Sequence, residues 1–273
     1  MNLQLIFLYC LCDELIKSVP LKDDPQSKMT HAEIMTFAIA AALYFQGNFA
    51  RTRLFFLSHH YFKTIVSKSK INKKIHQIPS ELWMQVFFIV RTINCCPKND
   101  EFIIDSFPVL VCQNARTWRC KLFPNKIYHG YCAAKKSYYW GLKVHMLVTK
   151  EGIPYEFVFS AASFSDVSGL DFLPLDIPHG AKIYADKAYN SYEREDFLKE
   201  MDIELIAQRK KNSHRQHSGP RSYIQQVNRK RIETTFSVIT SYFPKRIHAI
   251  TQKGFYLKLL LGILAYSVAN LPC

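Results

Sequence analysis

Three acidic residues stand where an acidic side chain is unusual. Asp105 interrupts an apolar run, Asp186 ends the strand-like segment Lys-Ile-Tyr-Ala-Asp, and Glu233 lies within a strongly basic helical segment. A carboxylate among apolar residues loses hydration unless it is paired with a cation or bound to a metal ion. Three such acids, at two strand positions and one late helix position on a very basic chain, indicate a divalent-metal site that acts on nucleic acid.

Each acid also has a structural explanation of its own. Asp105 could cap the turn that follows it, and Asp186 could pair with the next residue, Lys187. Glu233 could offset Arg229 or Lys230 through helical spacing. These separate explanations leave unexplained why the three acids follow the order of elements described below.

The charge of the chain points to a polyanionic partner. The 273 residues carry a formal net charge of +14, and 48% of them are hydrophobic, which is typical of a folded protein. DNA, RNA or an anionic membrane surface would each satisfy such a charge. The alternative is that the basic residues only keep an apolar protein soluble.

The cysteines and the apolar runs favour a reducing, cytoplasmic location. None of the eight cysteines forms a C-x-x-C pair, so neither a disulfide framework nor a zinc site is indicated. The apolar run at residues 3–12 is too short to span a bilayer. The run at residues 257–271 contains Lys258 and is better interpreted as a buried terminal helix. We therefore expect no membrane partner.

The first part of the chain has a helical pattern. Residues 31–45 are strong helix formers, with Thr30 as N-cap and Glu33 at the capping-box position. Further helices are predicted at residues 51–63, after which comes a lysine-rich connector, and at 79–93. Together they are compatible with a helix-turn-helix-like DNA module or with a plain helical bundle.

After residue 98 the pattern changes to strands alternating with helices. The predicted strands cover residues 102–111, 141–149, 155–161, 182–184 and 203–207, and the predicted helices cover 165–173, 192–201 and most of the chain from 223 onward. This order is that of an RNase H-like α/β domain, a mixed five-stranded sheet flanked by helices. We therefore predict an N-terminal helical domain at residues 1–98, with a possible role in binding DNA ends, and an RNase H-like catalytic domain at residues 99–273.

In a sheet of this order the three acids would meet. The first strand is central, the fourth lies beside it, and the last helix packs across the pair, so Asp105, Asp186 and Glu233 would converge. Mg²⁺ is characteristically held by a few carboxylates together with water and substrate phosphate. Two such ions suit phosphodiester displacement.

Six sequence blocks carry a resemblance to a known family. They are IDSFP at 104–108, GLKVH at 141–145, ADKAYN at 185–190, RKRIETTFS at 229–237, FPKRIHA at 243–249 and LLGILAYS at 260–267. Together they resemble the blocks of bacterial insertion-sequence transposases of the DDE class. The resemblance implies that Asp105, Asp186 and Glu233 are a catalytic triad binding two Mg²⁺ ions, with Mn²⁺ as a substitute.

The resemblance also implies an activity and partners. A DDE transposase cleaves double-stranded DNA at the ends of its element and joins those ends to a target. Because two ends must be brought together, we expect a homodimer or higher oligomer on DNA. The alternatives are an RNase H-like nuclease without strand transfer, an inactive DNA-binding regulator and, more remotely, a membrane-surface protein.

The chain departs from the family along the last catalytic helix. Many relatives carry Tyr, Arg, Glu and Lys at four spaced positions, which here hold Gln226, Arg229, Glu233 and Thr240. The arginine and the glutamate match, whereas the tyrosine and the lysine do not. This pattern indicates a divergent branch.

Basic residues near the predicted site are candidates for DNA contacts. Between residues 209 and 231 there are eight Lys or Arg residues and no acid. The candidates are Arg209, Lys210, Lys211, Arg229, Lys230 and Arg231, together with Lys135 and Lys136, which precede three aromatic residues. A solvated helix face and a lysine-guarded sheet edge are the structural alternatives. His145 is predicted to be a packed residue rather than a metal ligand, and Ser165 or Asp166 a helix N-cap.

Overall fold

The structure is a computed structural model that describes residues 2–95, 99–133, 135–209 and 212–272. The helices are α1 (Asn2–Lys17), α2 (His31–Phe45), α3 (Phe49–Ser58), α4 (Lys68–Gln77), α5 (Ser80–Asn94), α6 (Asp166–Asp171), α7 (Tyr192–Glu200), α8 (Gly219–Ser241) and α9 (Gln252–Ala269). The strands are β1 (Glu101–Cys112), β2 (His129–Cys132), β3 (Ser137–Thr149), β4 (Pro154–Ala161), β5 (Lys182–Ala185) and β6 (Glu204–Ala207).

The chain forms two compact units. Met1–Asn94 and Val238–Cys273 make up a helical unit, and Cys95–Ser237 make up a sheet unit. The helical unit thus takes in a C-terminal segment that the sequence assigns to the catalytic domain. The predicted boundary after residue 98 borders residues 96–98, which lie outside the described residues, and the division at that point stays a prediction.

The buried centre of the helical unit is α2. Thr30 and Glu33 form the predicted capping box, and ten residues of α2 are buried, as expected for a helix that is apolar on all sides. The helix ends where Gln46 and Gly47 take positive φ values of 51° and 76°. Glycine adopts such a conformation without steric cost, so the chain can turn sharply into α3.

Two helices of this unit differ from the prediction. α3 ends at Ser58 instead of residue 63, because the following His60 takes a φ of 52° that a right-handed helix cannot contain. α4 forms where the sequence indicated a lysine-rich connector. Its Ile71 and Ile75 are buried and lie four residues apart, so they give the helix an apolar stripe despite its lysines.

The predicted terminal helix is confirmed as α9, most of whose residues are buried. It packs against α2 and α5, and Asn94 at the end of α5 donates a hydrogen bond of 2.7 Å to the carbonyl of Ser267. Within the described residues, every helix is too short or too polar to cross a bilayer.

The sheet unit has the strand arrangement that the sequence predicted. β1 lies between β3, to which it is antiparallel, and β5, to which it is parallel, and β6 continues the parallel part. β4 pairs with the other edge of β3. The mixed α/β fold is therefore confirmed, with six strands in the described residues instead of five. The additional strand is β2, a four-residue segment that pairs with the first residues of β3.

The two faces of the sheet are covered by different helices. One face carries a cluster of buried residues that includes Phe102 and Ile104 of β1 and Leu198 of α7. Side chains alternate between faces along a strand, so Ile103 and Phe107 belong to the opposite face. There the ring of Phe107 lies 4.7 Å from that of Phe236 on α8. α8 is therefore the helix that packs across β1, as predicted.

Candidate active site

Asp105 and Asp186 occupy neighbouring positions on adjacent parallel strands. The parallel register pairs Ile104 with Ala185; Asp105 is the next residue of β1, and Asp186 directly follows the end of β5. Alternation places both side chains on the face that α8 covers. Both aspartates are half-buried and line one small cavity, whose other walls include Ile232 and Gln225 of α8.

Local hydrogen bonds hold each carboxylate. An Oδ1 atom of Asp105 accepts a hydrogen bond of 2.7 Å from the backbone amide of Ser106. The Oδ1 atom of Asp186 accepts from the backbone amide of Lys187, at the start of a short 3₁₀ turn. The sequence suggested a pairing between Asp186 and the Lys187 side chain, whereas the contact described here is made by the amide.

A third acid, Asp166, contacts the residue that follows Asp105. Its Oδ1 accepts hydrogen bonds from the Ser106 hydroxyl at 2.6 Å and from the Lys143 ammonium at 3.2 Å. Of the two residues predicted as the N-cap of α6, Ser165 is the one that takes this position, and its side chain accepts from the amide of Ser168. Asp166 is thus hydrogen-bonded to Ser106, the residue next to Asp105.

The three aspartates all affect the pKa of one buried hydroxyl group, that of Tyr189. Burial raises the pKa of Tyr189 well above its ordinary value, and the charges of Asp105, Asp166 and Asp186 raise it further. Loss of the phenolic proton would place another negative charge near three carboxylates, which is unfavourable. The three carboxylates therefore all lie near the Tyr189 hydroxyl, and Lys143 offsets the charge of Asp166 among them.

Glu233 lies on α8 but is not among the residues that line the cavity. It follows Ile232, which lines the cavity, but successive helix residues point about 100° apart, a consequence of 3.6 residues per turn. Its side chain is exposed. In the described part of the chain, no group of three or more His, Cys, Asp or Glu residues is arranged to hold a metal ion. The structure therefore brings Asp105 and Asp186 together and leaves Glu233 on the flank of α8.

Two aspartates still suit a divalent ion. Mg²⁺ is commonly held by one or two carboxylates, with waters and substrate phosphate oxygens filling its remaining positions. Asp105 and Asp186 supply hard oxygen donors from two rigid strands, so the residues present fit such an ion.

Comparison with known proteins assigns the family. Residues 97–268 match the family described as Transposase DDE domain, which is well over half of the chain. The chain belongs to this family. The sequence-based resemblance to DDE transposases is thereby confirmed, and this family generally uses divalent metal ions.

A solved transposase structure shares the fold. The chain is similar to a structure described as a cryo-EM structure of the piggyBac transposase synaptic complex with hairpin DNA, with a TM-score of 0.54 and 11% sequence identity. The similarity covers 99% of this chain and 74% of that one. At this identity the likeness shows the fold alone. No curated protein matches the chain.

A buried ion pair gives Arg209 a structural role in this member of the DDE transposase family. Its guanidinium forms a bidentate ion pair with Glu195 on α7, and both side chains are only 8% exposed. A buried pair of this kind is costly to break. Arg209 therefore supports the contact between α7 and the end of β6, and it is not in a position to exchange its partner for a DNA phosphate without that cost.

The other basic candidates differ in their surroundings. Lys135, Lys136 and Lys230 are exposed, and Arg231 is exposed with its guanidinium donating to the carbonyl of Lys150 at 2.7 Å. Lys210 and Lys211 lie outside the described residues, as does the side chain of Arg229. The exposed members remain available to solvent and to a ligand.

The sequence interpretation of His145 as a packed residue is confirmed. The side chain is fully buried, and its Nε2 lies 2.8 Å from the Ser160 hydroxyl. Burial lowers the pKa of His145 to about 4. The link from Asp166 through Ser106 was not foreseen, although Lys143 in the GLKVH block was a signal for a buried acid partner.

Proposed function

We propose that this protein is a DDE transposase that cleaves DNA at the ends of a mobile element and joins those ends to target DNA. The observation that carries the proposal is the position of Asp105 and Asp186, side by side on parallel strands beneath α8 in a chain of the DDE transposase family. Hard divalent ions and phosphate oxygens suit such a pair of carboxylates.

In this proposal the chain's own residues position the reactants. Asp105 and Asp186 hold Mg²⁺, or Mn²⁺ in its place, and Glu233 adds a third carboxylate from α8. A bound ion supplies Lewis-acid activation of the attacking oxygen and stabilises the leaving oxygen. The strands keep the two aspartates fixed, which reduces the entropic cost of bringing the reactants together.

The reaction would consist of two phosphodiester displacements. In the first, a water oxygen bonds to phosphorus and the 3′ oxygen leaves, taking up a proton to become a 3′-hydroxyl. In the second, that hydroxyl attacks a phosphate of the target strand and displaces the target's own 3′ oxygen. Each step breaks one phosphorus–oxygen bond and forms one, so no further reactant is needed.

Exposed cations would bind the DNA backbone. Lys230 and Arg231 lie on α8, and Arg229 precedes them on the same helix. Lys135 and Lys136 occupy the turn between β2 and β3, next to the exposed ring of Tyr138. Lysine and arginine bind phosphates without sequence preference, and an aromatic ring can support an unpaired base. Two element ends must be synapsed, so the proposal includes an assembly of at least two subunits.

The proposal is tested by replacing Asp105 with Asn in the full-length protein. We expect Mg²⁺-dependent strand cleavage to be abolished while binding to duplex DNA is largely retained, because only a metal-binding carboxylate is lost. The rate of nicking on a duplex carrying the element ends is the measurement. Glu151→Gln, which neutralises an exposed acid in the β3–β4 turn, is the matched control. Retained cleavage by the Asp105→Asn variant would refute the assignment.

The same assay separates the alternatives. A transposase yields products in which the element end is joined to target DNA, whereas a nuclease yields only cleaved ends. An inactive regulator binds DNA and produces neither, with or without Mg²⁺.

A further inference from the structure

A wide open cavity lies within the helical unit, and none of its lining residues belongs to the candidate active site. Its volume is about 590 Å³. We call it the basic groove, and its cationic lining residues are Arg51, Lys68, Lys245, Arg246 and Lys258, with His248 beside them. None of its lining residues is acidic.

The cationic residues of the groove come from four segments of the chain. The sharp turn after α2 leads into α3, whose first turn includes Arg51, and Lys68 is the first residue of α4. Lys245 and Arg246 lie in the segment between α8 and α9, and Lys258 lies on α9 itself. The ammonium of Lys258 donates a hydrogen bond to the carbonyl of His248, which connects α9 to that segment.

The charges of the groove are not balanced by the protein. In the described part of the chain, none of the five cations forms an ion pair, whereas Lys17 of the same unit pairs with both Asp13 and Glu14. Burial lowers the pKa of Lys258, and the charge of Lys68 lowers it further. The pKa of His76 is also lowered, first by burial and then by Lys258 and Lys253. Like charges held close together without acids make a bound anion favourable.

Neutral hydrogen-bonding groups share the groove with the cations. Gln46, Asn48 and Asn72 are among its lining residues. The side chain of Asn48 caps α3, whereas Ser67 makes no side-chain capping hydrogen bond at the start of α4. Amide side chains and helix N-termini are frequent partners of phosphate oxygens.

We propose that the basic groove binds the sugar–phosphate backbone of double-stranded DNA, as a second contact surface separate from the acidic site. This inference rests on the proposed function, since it takes the substrate DNA as the ligand. A duplex presents about one negative charge per 1.7 Å of its axis. Several phosphates in a row could therefore contact the cations from all four segments at once. A single small anion could contact only a few of them.

The test compares two double variants of the full-length protein. One carries Lys245→Gln with Arg246→Gln, both exposed in the groove, and the other carries Lys22→Gln with Lys28→Gln, both exposed in the same unit but outside the groove lining. The two variants have the same net charge. Binding of a short labelled duplex of random sequence is measured by fluorescence anisotropy over a series of NaCl concentrations, in EDTA so that no cleavage is needed.

For the groove variant we expect weaker binding and a salt slope, d log K/d log[NaCl], that is smaller in magnitude by about two, since each lost phosphate contact changes the slope by about 0.9. The control variant should keep the wild-type slope. An unchanged slope in the groove variant, or an equal change in both variants, would overturn the proposal.

Arg51→Gln, on a different helix, should reduce the magnitude of the salt slope by about one. The melting temperature of this variant reports whether the fold is intact.

Two further measurements identify other anions as the ligand. Thermal stabilisation by inorganic phosphate, or binding to phosphatidylserine vesicles, that is lost in the groove variant while the DNA slope is unchanged would assign the groove to a different ligand. The two proposals fail separately. Cleavage by the Asp105→Asn variant would refute the catalytic assignment but not the DNA-binding role of the basic groove. Wild-type DNA binding by the groove variant would refute the role of the groove but not the catalytic assignment.

Discussion

Glu233 differs from the two aspartates in its surroundings, and this difference matters for the chemistry. Asp105 and Asp186 are held on strands and are half-buried, whereas Glu233 is exposed on one flank of α8. A carboxylate in water pays no desolvation penalty, so its position alone does not reveal a ligand.

The first prediction concerns this residue. Glu233→Gln should lower Mg²⁺-dependent cleavage by at least about tenfold, because even indirect partners of a metal site typically cost 10- to 100-fold when removed. The measurement is the initial cleavage rate as a function of Mg²⁺ concentration, with Glu151→Gln as the control. A full rate with an unchanged Mg²⁺ dependence would show that two aspartates suffice.

At the scale of elements, α6 determines where Asp166 lies. Gly169 of α6 is in close contact with the ring of His145 on β3, and a Cβ atom added there would lie 2.0 Å from Nδ1 of that ring. His145 is itself fixed by its contact with Ser160. The close approach of α6 to β3 therefore places Asp166 within hydrogen-bonding distance of Ser106, next to Asp105.

Replacing Gly169 with Ala should disturb this arrangement. We expect a loss of about 1–3 kcal/mol in the free energy of unfolding, typical of overpacking in a well-packed core. Chemical denaturation is the measurement. Gly219→Ala at the start of α8 is the control, since a Cβ atom there meets nothing within 4 Å. Equal stability of the two variants would contradict the packing argument.

For the whole molecule, the helical unit joins two distant parts of the chain. α9 packs against α2 and α5 and has twelve buried residues, so the N-terminal helices lack part of their core without it. Burying apolar side chains is the main favourable contribution to folding. The C-terminal segment is therefore needed for a unit whose other helices come from the first 94 residues.

A chain truncated after Ser237 should lose the fold of this unit. We expect the backbone amides of α2 to lose most of their protection from hydrogen exchange, because the α9 surface that covers them is gone. Hydrogen-exchange mass spectrometry of α2 peptides is the measurement, and supplying residues 238–273 as a separate peptide should restore part of the protection. Undiminished protection in the truncated chain would show that the first helices fold alone.

Much of the site followed from local patterns in the sequence. The order of strands placed β1 beside β5, and the register then made Asp105 and Asp186 neighbours, as predicted. β2 was missed because four residues in a connecting segment carry too little alternation to be recognised. α4 was missed because its lysines concealed two isoleucines at helical spacing.

The sequence by itself predicted the neighbouring positions of Asp105 and Asp186, the mixed sheet and the family to which the chain belongs, because periodicity and motif spacing are local properties. Only the tertiary structure decided that Glu233 is exposed, that Asp166 is linked to Ser106, and that residues 238–273 complete the helical unit. These features depend on the rotation of a helix about its axis and on contacts between residues far apart in the chain. Both are set by packing, which a local pattern does not encode.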